Sequence, residues 1–329
     1  MKILHISPHM GGGVGTVIMG WQTKLEVKQT VMCLDWANHK AIATLKGHLI
    51  GDASAMDKKH PFIHDVIRNN DIVLVHYWDH RMLADLLADP LPPCRLVFWC
   101  HKNIPYSQAA LDYPDLWIDT SPIQGRGRHI WSTGGIDRFL QIQPKAHEGF
   151  NVGYVGTIDF KKIHPDFQHI CDHLIESIPN IHFIMVGEPH FSLRPSSFFT
   201  FTGKVDDVAP YLAEMDVFGY PLRPDHYGTS EQVLGEAMAA GVVPVVMDNP
   251  AERRIIKFCH DGLTATNEQE YVHSIYSLYL DKKVRGKMSN SARKKAAELY
   301  SLDTMIDKWN AVFDETMSKP KRDRGTLCP

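Results

Sequence analysis

Short apolar runs alternate with amphipathic helical stretches along this chain, and after a break near the middle the alternation starts again. In the first half the runs fall at 2–7 (KILHIS), 30–34, 71–76, 95–100 and 116–119. In the second they fall at 151–155, 182–186, 199–202, 217–220 and 242–246. Runs this short, closed by polar or Gly-rich turns and separated by helices, predict parallel sheets covered by helices rather than a sandwich or a bundle. The fold class expected is α/β. The break lies at 137–150 (DRFLQIQPKAHEGF), which has no clear periodicity, and it divides the chain into an N-terminal domain, 1–143, and a C-terminal domain, 144–302. Two last helical stretches read as 281–300 and 302–317; residues 303–317 are expected to fold back onto the first domain. Residues 318–329 read as a disordered basic tail.

A chain of 329 residues with 44% apolar content can bury two cores. Its formal charge of -3 argues against a general nucleic-acid binder, which would carry a basic surplus. The six cysteines are scattered without CxxC spacing, so neither a zinc site nor a secreted disulfide framework is expected. No apolar run has the length of a membrane span, and Met1 leads straight into strand-like sequence. A cytoplasmic protein is expected, with weak contact between the basic tail and a membrane surface as the lesser possibility.

The stretch 227–246 (YGTSEQVLGEAMAAGVVPVV) carries the sharpest chemical signal. Thr229 and Ser230 are N-cap types with Gln232 in the capping-box relation, so a helix is expected from near Glu231 to near Gly241. Val233, Ala237 and Ala240 form its predicted core stripe. Glu236 lies at the edge of that stripe beside Gly235 and Ala239, where a hydroxyl-rich ligand could approach closely. The Gly228–Ser230 turn would offer backbone N–H groups and the positive end of the helix dipole to a phosphate. The plainer alternatives are that Glu231 complements the helix terminus and that Glu236 is a surface residue.

The segments GKVDDV (203–208), YLAEMD (211–216) and 228–246, in that order, resemble retaining nucleotide-sugar glycosyltransferases of the GT-B fold, the large family of bacterial polysaccharide and lipid-sugar transferases. The resemblance is strongest over 152–262. It implies two Rossmann-like domains whose parallel sheets face each other across a cleft, the donor on the C-terminal domain and the acceptor mainly on the N-terminal one. It implies no metal and no cofactor beyond a nucleoside diphosphate sugar as co-substrate. The family's helix carries two glutamates separated by seven residues. Glu236 matches the second, on the ribose, whereas Gly228 stands where the first belongs. That leaves Glu231, or the amides of Gly228, Thr229 and Ser230, to meet sugar or phosphate, with Asp225 and His226 nearby.

After the first strand of the second domain, Gly156 is followed by Thr157 where the family places an arginine. Lys162 or Lys161 is therefore expected to neutralise the diphosphate, with Arg223 as a second cation. Lys204 and Val205 resemble the segment whose backbone meets the nucleobase. In PHMGGGVGT (8–16), Gly13 and Gly15 would let substrate approach the backbone, and the spacing is not the dinucleotide fingerprint. His101 ends a strand where the family often has a histidine facing the sugar; His76, at a neighbouring strand end, is expected to pack with Tyr77 and Trp78.

The expected function is a metal-independent, hexosyltransferase-like enzyme of polysaccharide biosynthesis type. It would transfer a sugar, with retention, from the donor to a glycan, lipid-linked or small-molecule acceptor, with His101, Lys162 and Glu231 at the chemistry. Two alternatives remain: a sugar-nucleotide epimerase or hydrolase of the same fold, and a nucleotide-binding partner subunit without turnover.

Overall fold

The computed structural model describes residues 1–45, 49–50, 61–189, 194, 196–226 and 228–327 of the chain. Two compact units emerge. One contains Met1–Gly135, Gly228–Ser230 and Leu302–Pro329, the other Ile136–Tyr227 and Glu231–Ser301.

In the first unit the strands are β1 (Lys2–Met10), β2 (Lys28–Ala37), β3 (Leu49–Ile50), β4 (Ile72–Tyr77), β5 (Leu91–Cys94), β6 (Leu96–Cys100) and β7 (Leu116–Asp119). All but β5 form one parallel sheet in the order β3-β2-β1-β4-β6-β7. A parallel sheet is covered on both faces, which explains why its strands read as nearly continuous apolar runs. On one face Leu4, Ile6, Val73, Val75, Leu96 and Phe98 are buried together. On the other, Ile3, Leu74, Val97 and Trp99 pack against Trp21 of the helix Gly12–Gln22 and against the helix Leu302–Met317, which contributes Met305, Trp309 and Phe313.

The second unit has β8 (Phe150–Val155), β9 (Ile181–Val186), β10 (Phe199–Phe201), β11 (Val217–Tyr220), β12 (Val243–Met247) and β13 (Leu263–Ala265), parallel throughout in the order β10-β9-β8-β11-β12-β13. Renumbered within the unit this is 3-2-1-4-5-6, the doubly wound order. Its ligand crevice opens at the carboxyl ends of the strands where the winding reverses, here between β8 and β11. In the first unit the same reversal lies between β1 and β4.

The basic tail departs from the disorder expected of it. Arg322–Arg324 forms β14, antiparallel to β5. Its anchor is electrostatic: the Arg324 side chain, 2% exposed, pairs with the nearly buried Asp115 carboxylate, and Arg322 approaches the same carboxylate at 2.9 Å. Edge pairing to a strand with two prolines needs few ladder bonds, and the tail adds an apolar anchor: Leu327, 4% exposed, is buried in the core with Leu87 and Leu91, and its amide donates to the Leu87 carbonyl at 2.7 Å. Among the described residues no helix is long and apolar enough to cross a membrane.

Candidate active site

At the carboxyl edge of the second sheet the backbone is stripped of side chains. Gly156, just after β8, has φ +142°, and Gly187, just after β9, has φ +145°. A Cβ on Gly187 would lie 1.9 Å from the Gly156 carbonyl oxygen, so only glycine lets these two strand ends meet. Gly187 also bridges Gly203. Thr157 and Lys204 are exposed around this edge and Val205 is half-buried; the Lys204 amide donates to Glu188 Oε1 at 3.4 Å.

The loop after β8 turns on Asp159, whose carbonyl accepts from the Lys162 amide at 2.8 Å. This brings the Lys162 ammonium to 2.7 Å from the Tyr220 hydroxyl, at the end of β11. Tyr220 in turn donates to Glu231 Oε2 at 2.6 Å, and Lys162 Nζ lies 3.7 Å from the same oxygen. Lysine, phenol and carboxylate thus form one polarised chain at the reversal point. Lys161, its neighbour, is exposed and its amide donates to Asp159 Oδ1.

Glu231 caps the helix Gln232–Ala239 from a left-handed backbone, φ 39° and ψ 58°, with no side-chain capping bond. A non-glycine residue there stores about 1–3 kcal/mol of strain, and what holds it is the inward-turned carboxylate, 4% exposed. The expected capping box is therefore absent. Thr229 instead receives a hydrogen bond from Thr120 at 2.8 Å within the first unit. Both Thr229 and Ser230 are buried, and Gly228 is half-buried. The core stripe is correspondingly Leu234, Ala237 and Met238, spaced at i, i+3 and i+4, while Val233 is half-buried. Glu236 is half-buried on the same helix, beside Gly235, which packs against the Tyr300 ring.

Two further residues complete the cluster. His226 Nδ1 lies 3.9 Å from Glu231 Oε1, and its Nε2 lies 3.1 Å from Glu252 Oε1 and 3.2 Å from Oε2. Glu252 is fully buried. Burial pushes its pKa up, aided by the Glu231 charge and opposed by His226. For His226 burial works against protonation, but the Glu252 bond and the two carboxylate charges win and raise its pKa. Burial would likewise raise that of Glu231; Lys162, His226 and the Tyr220 hydroxyl together hold it below the ordinary value. The outcome is a buried network of alternating charge.

The sequence model of the family described as Glycosyl transferases group 1 matches residues 149–281, which include Lys162, Tyr220, His226, Glu231 and Glu252. No curated protein matches the chain. Among solved structures, HepE of Anabaena in complex with UDP-glucose superposes with a TM-score of 0.74 at 16% identity, over 96% of this chain and 100% of its own. A glycosyltransferase of Rickettsia africae gives 0.74 at 14%, over 97% and 99%. Sucrose-phosphate synthase of Thermosynechococcus elongatus gives 0.72 at 12%, over 97% and 100%. Most of the second unit is thus similar to group 1 glycosyltransferases. The fold of the chain is GT-B, with two Rossmann-like sheets.

Within the second unit the remaining candidates are placed as follows. Arg223 pairs with Asp225 and donates to the Phe160 carbonyl at 3.1 Å, so these two residues engage each other. His164, Asp166 and Glu268 lie close enough together to be possible metal ligands, yet His164 Nδ1 already accepts from the Asp166 amide at 3.3 Å. In the first unit, Gly13 is exposed in the first turn of the helix Gly12–Gln22, and Gly15 is buried against Met10, where a Cβ would lie 2.8 Å from the Met10 carbonyl carbon. His101 follows β6, partly exposed, with His76 stacked beside it and Trp99 and Trp78 around it. Burial lowers its pKa to about 3. Glu252 and the tie from His226 to Glu231 were not readable from the sequence. Glu252 stands three residues after Asn249, and in that position it reads as an exposed helix-terminal carboxylate.

Proposed function

We propose that this protein transfers a sugar from a nucleoside diphosphate sugar to an acceptor hydroxyl, with retention at the anomeric carbon and without a metal. The observation that carries the reading is the Lys162–Tyr220–Glu231 chain at the winding reversal of a unit similar to group 1 glycosyltransferases. Such a reaction needs a cation where diphosphate charge develops. The bond from the anomeric carbon to the donor phosphate oxygen breaks with its electron pair leaving on the diphosphate, which Lys162 stabilises, assisted by the amides around Gly228–Ser230. The acceptor oxygen bonds to the same face of that carbon, and its proton passes to the departing phosphate oxygen. Glu236 holds the ribose hydroxyls, Gly156, Thr157, Lys204 and Val205 border the nucleotide, and His101 with the turn at Gly13 and Gly15 orders donor sugar and acceptor.

HepE was crystallised with UDP, with UDP and glucose, and with UDP-glucose, and the similar WaaB is a lipopolysaccharide outer core galactosyltransferase. These support a nucleotide-sugar donor and a glycan or lipid-linked acceptor; polysaccharide biosynthesis in the cytoplasm is the setting we infer for it. Gly228 favours the second reading, a partner subunit that binds nucleotide without turnover, since no carboxylate stands there.

Calorimetric titration with UDP, GDP, ADP, dTDP and CMP, without and with magnesium, tests the proposal. One diphosphate should bind clearly, indifferent to metal, and Lys162→Ala should weaken it more than the matching monophosphate. Absence of binding by all five would defeat the donor assignment. Binding without turnover across a broad acceptor panel would favour the partner subunit.

A further inference from the structure

Four polar side chains on or beside four neighbouring strands form a row across one face of the first sheet. Gln29 lies near the start of β2, His5 in β1, His76 near the end of β4 and His101 just after β6. Gln29 Oε1 is 3.1 Å from His5 Nε2, His5 Nδ1 is 3.1 Å from His76 Nε2, and His76 Nδ1 is 3.0 Å from His101 Nε2. His5 and His76 are fully buried and Gln29 is 2% exposed. Successive imidazole rings are nearly parallel, at 22° and 20°. The row therefore runs from the floor of the sheet to its carboxyl edge, where ligands of such sheets bind.

A neutral imidazole has one N–H and one lone pair. Burial keeps these rings neutral, lowering the pKa of His5 to about 4, of His101 to about 3 and of His76 well below its usual value. Every link needs one donor and one acceptor, so a neutral row has only two proton arrangements. Gln29 decides between them. Its Nε2 donates to the Leu25 carbonyl at 3.4 Å, which turns Oε1 toward His5. An amide oxygen only accepts, so His5 carries its proton on Nε2 and accepts at Nδ1 from His76 Nε2–H. His76 Nδ1 then accepts from His101 Nε2–H. His101 Nδ1 keeps its lone pair, and among the described residues it has no hydrogen-bond partner.

We propose that Gln29, His5 and His76 are positioning residues that fix the tautomer of His101, so that its Nδ1 accepts a hydrogen bond from a hydroxyl of the bound sugar. A lone pair here attracts a hydroxyl and repels a phosphate or carboxylate oxygen, so the group received at the end of β6 belongs to an uncharged part of the ligand. The sugar as ligand rests on the transferase reading; the tautomer does not.

The test is long-range proton–nitrogen NMR correlation on the full chain labelled with 15N-histidine, near neutral pH, with His101 assigned by comparison with His101→Gln. The expected spectrum has a proton on His101 Nε2 and none on Nδ1. Gln29→Met, close in volume but without the amide acceptor, should let the row run in either direction and populate the Nδ1–H form of His101. A wild-type His101 protonated on Nδ1 or on both nitrogens overturns the proposal, as does a Gln29→Met spectrum identical to wild type. Gln29→Leu replaces that variant if it does not fold, and the wild-type tautomer decides by itself in any case. Neither readout requires nucleotide to bind, so a failed donor titration and a failed relay are separate results.

Discussion

Both units bury histidine, and the two burials have opposite consequences. In the first, His5 and His76 meet only neutral partners, so loss of hydration dominates and both pKa values fall. In the second, His226, 3% exposed, lies within 4 Å of two carboxylates, and its pKa rises despite the same loss. Burial sets the size of the penalty, and the neighbour's charge sets the sign of the outcome. A neutral row suits direction of a hydrogen bond. A charged network suits the handling of charge, as the diphosphate chemistry proposed for Lys162 requires.

The contrast breaks most sharply at Glu252. Glu252→Ala leaves His226 buried beside one distant carboxylate and should destabilise the second unit by about 3–5 kcal/mol, the usual result of removing one member of a buried pair. Glu252→Gln, which still accepts from His226, should lose less than half of that. Urea unfolding monitored in each unit measures both, and a loss below about 1 kcal/mol for Glu252→Ala would show that the pair is not charged.

Acidification should separate the units next. His5 has its pKa lowered from 6.5 to about 4, so below pH 6.5 the unfolded chain takes up a proton that the folded one refuses. Its stability contribution is intact above about pH 6.5 and is lost as the pH falls toward 4, about 3 kcal/mol in full. The raised pKa of His226 acts the other way: its contribution is present below its ordinary value and is lost as pH rises through the folded one. Between pH 8 and 5 the first unit should weaken while the second strengthens, as read by hydrogen exchange corrected for intrinsic rates. Parallel changes in both would end the comparison. The smallest effect is expected from Tyr220→Phe, which removes the hydrogen bond to Glu231 and the one accepted from Lys162 but leaves Lys162 3.7 Å from Glu231. A loss of about 1.5 kcal/mol is expected from the same urea experiment; no loss would mean that the phenol does not connect lysine and carboxylate.

Much of this fold was legible because its strands are short, apolar and closed by turns. Val217–Tyr220 and Leu302–Met317 match the reading residue for residue. β5 was hidden by Pro92 and Pro93, acceptable only at an edge. β13 has three residues, and β14 is Arg-Asp-Arg, whose order comes from Asp115 far along the chain. At the site, Lys162 was legible as a cation after the first strand of the second domain, and Glu231 as a carboxylate at the start of a helix. The left-handed backbone of Glu231 could not be read, because Thr229 and Ser230 look like caps and only the tertiary partners of the carboxylate draw it inward. The histidine row left a usable trace: His5 shares the face of Ile3 at a spacing of two, a polar residue in a core stripe.

Trp309 and Phe313, in the helix Leu302–Met317, fill the core beneath β1, β4 and β6, and the same helix is followed by the strand that covers β5. The domain synthesised first is thus the one completed last. At about 5–20 residues per second, roughly ten seconds or more pass between emergence of residue 135 from the ribosome and arrival of that helix. During that interval the face bearing Trp21 and Trp99 lacks its cover. The nascent first domain therefore keeps that apolar face open for the interval, whereas the second domain, whose own segment ends at Ser301, has all of its residues to fold with before its predecessor is complete.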